Sequence, residues 1–329
     1  DGADRGELAW VVAPPARVVG MSKNRSAVRN HVEFAAFRVA RGLTGLLPPA
    51  GLARVGDVLG RLYSMIGGER REIVDFNLAL AYPEKSEAER SQLARAVARH
   101  FARSTLDAIR IQRLQPEELL SSVEISGWEH VERAAGLGRG VFFLTAHIGS
   151  WEVAALVTGL KLDAGLSVVN RPLDNPLLDA ELERLRRLYG NHVFGKHNIL
   201  REMLAQLKKG GGVGILIDQR PREGQGVDVA FFGQPAWTHP ILARVSRKTG
   251  APVVPTFALR GKPGFYALRY DEPVLIDDLS EDELQDVPLT TRYSEILEQA
   301  IRRNPDQWLW YHDRWKQLRL RNEETGNRK

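Results

Sequence analysis

From residue 27 to about residue 115 the apolar positions recur three and four apart. Phe34, Phe37, Val39, Leu43, Leu46 and Leu47 recur at this spacing with Arg38 and Arg41 set among them, and Leu52, Val58, Leu59, Leu62 and Ile66 continue it. That spacing predicts amphipathic helices, separated by the Pro48–Pro49 turn and closed at Gly67 and Gly68. Past residue 123 the pattern changes. Short apolar runs over 140–145, 165–170, 213–217, 227–232, 252–260 and 265–270 alternate with helical stretches over 151–160, 176–189, 199–209 and 240–249. Strands of this kind, joined by helices, pack as a sheet buried on both faces. The predicted fold is therefore α/β: a mixed central sheet covered by helices, with an N-terminal helical membrane-associating segment. In such sheets ligands bind where loops leave the carboxyl ends of the strands.

The same pattern divides the chain into a helical region over 21–122 and an α/β catalytic domain over 123–329. Residues 1–20 hold one short apolar piece, AWVVAPP, too short and too broken by proline for a signal peptide, so Met21 reads as the start and 1–20 as an extension. The window 140–160 carries a single formal charge, Glu152, yet Gly149 and Ser150 split it into strand and helix, which argues against a spanning helix. Between Lys23 and Arg71 nine basic residues face three acids, Glu33, Asp57 and Glu69. Such a hairpin lies on an anionic membrane surface or forms a helical lid with a solvated basic face.

Composition removes several chemistries. The chain has 329 residues, no cysteine and a net charge of +5. Without cysteine there is no disulfide, thiolate metal site or cysteine nucleophile, and the mild charge is no nucleic-acid signature. The run GNHVFGKH over 190–197 has P-loop spacing but places His197 where Ser or Thr must hold magnesium. The glycines at 210–212 and 214 precede a strand rather than follow one, so they read as a helix stop and turn. No G-x-S-x-G or H-E-x-x-H occurs, and the eight histidines are scattered singly, so no metal or cofactor is expected.

What remains is His147 through Glu152. His147 sits on the turn after a strand, and Glu152 falls in the first turn of the next helix with Ser150 as its N-cap. The helix dipole favours a carboxylate there, and that carboxylate can reach back to the imidazole. The pair then makes a His–Glu dyad, its free ring nitrogen able to take a proton from a hydroxyl or water. Alternatively His147 is a satisfied turn histidine and Glu152 an ordinary helix-start acid.

H-x-x-x-x-[DE] at a strand end is the hallmark of the glycerolipid acyltransferase superfamily. The chain resembles one branch of it, the bacterial lipid A biosynthesis (late) acyltransferases. The resemblance is carried by VFFLTAHIGSWE (141–152), NRPLDNPLLD (170–179), REMLAQLKKGGGVGILIDQ (201–219), GVDVAFFGQPAWT (226–238), TGAPVVP (249–255) and NPDQWLWYHDRWK (304–316), in order over about 290 residues.

The resemblance implies transfer of a fatty acyl chain from an acyl carrier protein or coenzyme A thioester to a hydroxyl of a lipid A precursor or related glycolipid, at the cytoplasmic face of the bacterial inner membrane. It makes His147 the general base and Glu152 its orienting partner, without a covalent intermediate. Arg171 would bind an acceptor phosphate or position the site, or pair with Asp174. Asp218 and Gln219 stand where the family keeps a D-Q or D-H pair. The oxyanion would be held by backbone N–H groups from Gly149 to Trp151 or by Arg171. Phe231, Phe232 and Trp237 line an acyl groove or fill the core. The arginines at 184, 186 and 187, with Arg201, Lys208 and Lys209, meet the acidic surface of acyl carrier protein or lipid phosphates, or form a solvated basic face. The family's usual N-terminal transmembrane helix is interrupted here by Arg38, Arg41, Arg54 and Arg61, so the expected anchor is peripheral. A thioesterase using the same dyad on water and a non-catalytic lipid-binding protein are the competing classes.

Overall fold

The computed structural model describes residues 26–168, 173–194 and 199–326, so the expected extension over 1–20 lies outside the described residues. The chain opens with helices α1 (Ala27–Thr44), α2 (Pro49–Met65), α3 (Glu69–Ala81), α4 (Glu87–Ile111) and the short α5 (Pro116–Ser121). Ser26 caps α1 through the Arg29 N–H, and Ser86 and Glu89 form a capping box at the start of α4. Helix α2 lies directly on α4 because its inner face is glycine. A Cβ at Gly60 would stand 2.5 Å from Arg99 Cα, and one at Gly56 would stand 3.0 Å from Arg103 Cα.

From Val123 the alternation is as the pattern predicts. In chain order come β1 (Val123–Ser126), α6 (Trp128–Ala135), β2 (Val141–Thr145), α7 (Trp151–Lys161), β3 (Leu166–Val168), α8 (Pro176–Leu188), β4 (His192–Val193), α9 (Ile199–Lys208) and β5 (Gly212–Leu216). After them come β6 (Val227–Phe231), β7 (Gln234–Thr238), α10 (Ile241–Thr249), β8 (Val253–Arg260), β9 (Tyr266–Tyr270), α11 (Asp286–Arg303) and α12 (Lys316–Gly326). The main sheet has the order β1-β9-β8-β2-β5-β3-β4 and is parallel except where β9 runs against β8. It is thus a mixed sheet. The run 227–232, expected as one of its strands, instead pairs with β7 as a separate antiparallel hairpin.

Strand β2 runs through the middle and is buried along its length. Alternation splits its side chains between two cores. Phe142 and Leu144 join Val74, Leu78 and Val97 on one face, and Val141 and Phe143 join Val131, Val153 and Leu156 on the other. Because α3 and α4 fill one of these cores, the N-terminal helices and the sheet share their interior. A buried ion pair also fastens α4 to the sheet: Arg260 Nε donates to Asp107 Oδ2 at 2.9 Å, and the Tyr266 hydroxyl donates to the same oxygen at 3.1 Å. Along and beside α1 and α2, other apolar residues face outward. Leu46, Leu62, Met65 and Ile66 are each more than half exposed. Among the described residues no helix is long and apolar enough to cross a membrane.

Candidate active site

The parallel register of β2 and β5 sets Thr145 beside Leu216. Two residues further along each strand, the same register sets His147 beside Asp218 at the carboxyl edge of the sheet. The His147 backbone N–H donates to Asp218 Oδ2 at 2.9 Å, and His147 Nδ1 lies 2.9 Å from Asp218 Oδ1. The indole Nε1–H of Trp308 donates to Oδ2 at 2.8 Å. Asp218 is almost fully buried, with 1% of its side chain exposed. Burial opposes its charge, but the charge and hydrogen bonds of His147, with the indole, outweigh that and hold its pKa down at about 2. Burial likewise disfavours the imidazolium of His147. The Asp218 carboxylate outweighs it, with a contribution from Glu152, and raises the histidine above its ordinary value.

The carboxylate hydrogen-bonded to the imidazole is Asp218, where the spacing of the motif had suggested Glu152. Glu152 pairs instead with Arg186, which donates through Nη2 at 2.7 Å and Nε at 3.3 Å. A side chain in the first turn of α7 points across to α8, and Arg186, expected either to meet an acidic partner surface or lipid phosphates or to lie on a solvated basic face, is buried there, with 8% of its side chain exposed. Gln219, next along from Asp218, brings its amide nitrogen to 3.3 Å from His147 Nε2. The Trp151 ring meets the imidazole edge-on at 5.0 Å between centroids. Arg171 lies outside the described residues.

The turn between β2 and α7 is rigid for identifiable reasons. Gly149 has φ +61°, and a Cβ there would stand 2.1 Å from the Ala258 carbonyl oxygen, so only glycine fits. Its N–H donates to Gln307 O at 3.0 Å, and the Ser150 N–H donates to Ala258 O at 2.8 Å. Both groups are engaged within the fold, so they are poor candidates for an oxyanion site. The aromatic tail runs alongside: Leu309 N–H donates to His147 O at 3.0 Å. Trp308, Trp310 and Trp315 pack around Phe231 and Phe232, which puts these two phenylalanines in the core behind Asp218. His100 on α4 is kept neutral, its pKa pulled down to about 3 by burial and by Arg260, and it hydrogen-bonds the Gly149 backbone.

Two cavities meet at His147, Trp151 and Glu152. One, of about 110 Å³, runs beneath α7 against the sheet and is lined by Phe143, Thr145 and Gly214, with Arg186 at one side. The other, of about 470 Å³, lies between α1, α4 and the tail and is largely apolar, walled by Phe37, Val97, Phe101, Ile109, Trp308 and Leu309. Among the described residues no group of three His, Asp or Glu side chains is placed to hold a metal ion. Trp308, Arg186 and Thr145 are the site residues to which the sequence reading gave no role of their own. Trp308 lay inside the tail that carried the resemblance, and Arg186 inside a row of arginines.

The sequence as a whole gives an independent comparison. The model of the bacterial lipid A biosynthesis acyltransferase family matches residues 20–317. The chain belongs to this family. It is similar to the lipid A biosynthesis lauroyltransferase of Escherichia coli K12, 28% identical over 82% of this chain and 87% of that protein. The palmitoleoyltransferase of the same organism is 26% identical over 82% of this chain and 86% of that protein. The phosphatidylinositol mannoside acyltransferase of Mycobacterium tuberculosis is 24% identical over 64% of this chain and 67% of that protein. Among solved structures, the 1-acyl-sn-glycerophosphate acyltransferase PlsC of Thermotoga maritima is similar at a TM-score of 0.37 and 14% identity, covering 85% of this chain and 99% of that one. Membership rests on the sequence match.

Proposed function

We propose that this acyltransferase moves a fatty acyl group from an acyl carrier protein or coenzyme A thioester to a hydroxyl of a lipid A precursor or a related glycolipid, with His147 as general base. The observation that carries the reading is the Asp218–His147 pair at the junction of the two cavities. Asp218 holds the imidazole with its proton on Nδ1, which leaves Nε2 to take the proton of the acceptor hydroxyl. The oxygen then attacks the thioester carbonyl carbon, and the C–S bond breaks as the imidazolium returns the proton to the departing thiolate. The larger apolar cavity suits the acyl chain. Relatives named for lipid A and for a phosphatidylinositol mannoside support a glycolipid as the acceptor class.

The test is direct. Purified protein given acyl thioester and a lipid A precursor should yield, by mass spectrometry, a lipid heavier by one fatty acid less one water. Free fatty acid released at the same rate with and without acceptor would make it a thioesterase instead.

In this reading α1 and α2 lie on an anionic bilayer, bringing the larger cavity to the lipid. The hairpin they form combines exposed Leu46, Leu62, Met65 and Ile66 with exposed Arg38, Arg54 and Arg61. Immersed leucines contribute roughly 1.5–3 kcal/mol each, and each arginine near an anionic surface about 1 kcal/mol, screened by salt. Sedimentation with anionic vesicles should weaken as salt rises, and Leu46→Asp with Leu62→Asp should abolish it at any salt. Binding that these changes leave intact would remove the hairpin from the interface.

A further inference from the structure

The small cavity beneath α7 holds two polar groups without hydrogen-bond partners. Arg186 uses Nε and Nη2 on Glu152, while its Nη1 is buried and unpaired. The Thr145 hydroxyl, two residues before His147 on β2, is also buried and unpaired. Both residues are more than nine-tenths buried, and both line the cavity that His147 lines. A buried donor left unmade costs about 1–3 kcal/mol, so two around one cavity beside the base point to a ligand oxygen. The remaining walls, Phe143, Leu166, Val168 and Ala154 among them, are apolar.

We infer that Arg186 Nη1–H and the Thr145 hydroxyl form the oxyanion site of the reaction, receiving the thioester carbonyl oxygen. This rests on the acyl-transfer reading above. As the acceptor oxygen bonds to the carbonyl carbon and His147 Nε2 takes its proton, the carbonyl π pair moves onto oxygen. The resulting anion lies against one charged and one neutral donor in a pocket whose other walls are largely apolar. When the C–S bond breaks the pair returns to C=O, and the thiolate leaves with the proton from His147. Glu152 has a positioning role here: its carboxylate fixes the guanidinium so that Nη1 faces the cavity and not the solvent. The fixed ion pair and strand-borne hydroxyl are preorganised, which is what makes such donors effective. The Gly149 and Ser150 N–H groups are engaged elsewhere, so neither serves this site.

The test uses Thr145→Val, Thr145→Ser, Glu152→Gln, and Glu152→Gln combined with Arg186→Gln, which removes the guanidinium without stranding a buried carboxylate. At saturating thioester and acceptor, Thr145→Val should lower kcat on the order of 10²-fold, with Thr145→Ser restoring most of it. The double variant should fall by a similar factor below Glu152→Gln alone. Acceptor KM should change less than about twofold and hydrolysis of the thioester by water should fall in parallel, because an oxyanion site serves either nucleophile. Losses confined to acceptor KM, with hydrolysis intact, would overturn the assignment and make Arg186 an acceptor-binding cation. A kcat held within about threefold in both Thr145→Val and the double variant would mean that the cavity holds only water. Failure of the underlying reading looks different: the unaltered protein would make no acylated lipid at all, and this inference would fall with it.

Discussion

With His147 replaced by alanine, acyl transfer should fall by about 10²–10⁴-fold, the usual contribution of a positioned general base. An acceptor hydroxyl is too weakly acidic to attack while it keeps its proton, and His147 is the side chain at the junction of the two cavities whose second ring nitrogen, Nε2, meets no carboxylate and only the Gln219 amide nitrogen at 3.3 Å. The imidazole is about one-fifth exposed, so its removal opens little of the core. It does take one of three donors from Asp218, leaving the His147 backbone N–H and the Trp308 indole. The variant should therefore remain folded by circular dichroism while losing a measurable part of its stability. Added imidazole, small enough to enter the space left by the ring, should restore part of the rate. Full activity in the folded variant would eliminate His147 as the base.

The sheet and its flanking helices were legible because the central strands are buried on both faces and read as unbroken apolar runs, as in Val141–Thr145 and Gly212–Leu216. Elements with weaker contrast escaped. The two-residue β4 has too few positions to show any period, and β1, whose burial alternates with exposure, follows a helix too closely to stand out. The site divided in the same way. His147 announces itself at a strand end, and a neighbour five residues on is the obvious partner when only the chain is visible. The actual partner lies 71 residues away, and what brings it near is the pairing of β2 with β5, a contact written in register rather than in sequence distance. Had that adjacency been assumed, counting two residues past Thr145 and Leu216 would have found it. Arg186 could not be singled out among Arg184 and Arg187. All three lie on α8, and only the packing of α8 onto α7 shows which of them turns inward.

Asp218→Asn separates the two carboxylates most sharply. Asparagine has nearly the volume of aspartate and can keep one contact to Trp308 or to the backbone of His147, so the fold should survive. The charge is lost. In the native site that charge outweighs the burial penalty on His147 and raises its pKa, so the neutral, competent base accumulates only as pH rises through a value above the ordinary histidine one. Without it, burial pulls the pKa down, and the acid limb of the rate profile should move to lower pH. The maximum rate should nevertheless drop by roughly 10³–10⁴-fold, because the imidazolium that forms as the hydroxyl is deprotonated loses its counter-charge and the amide can hold the wrong tautomer. A lower plateau with an earlier acid limb is the combined signature. Glu152→Gln should act differently: Glu152 is a smaller influence on His147, so the acid limb should shift only slightly and the loss should reflect a loosened Arg186. If the two variants exchange these behaviours in pH–rate profiles at saturating substrate, Glu152 and not Asp218 orients the base, as the motif spacing alone would have it.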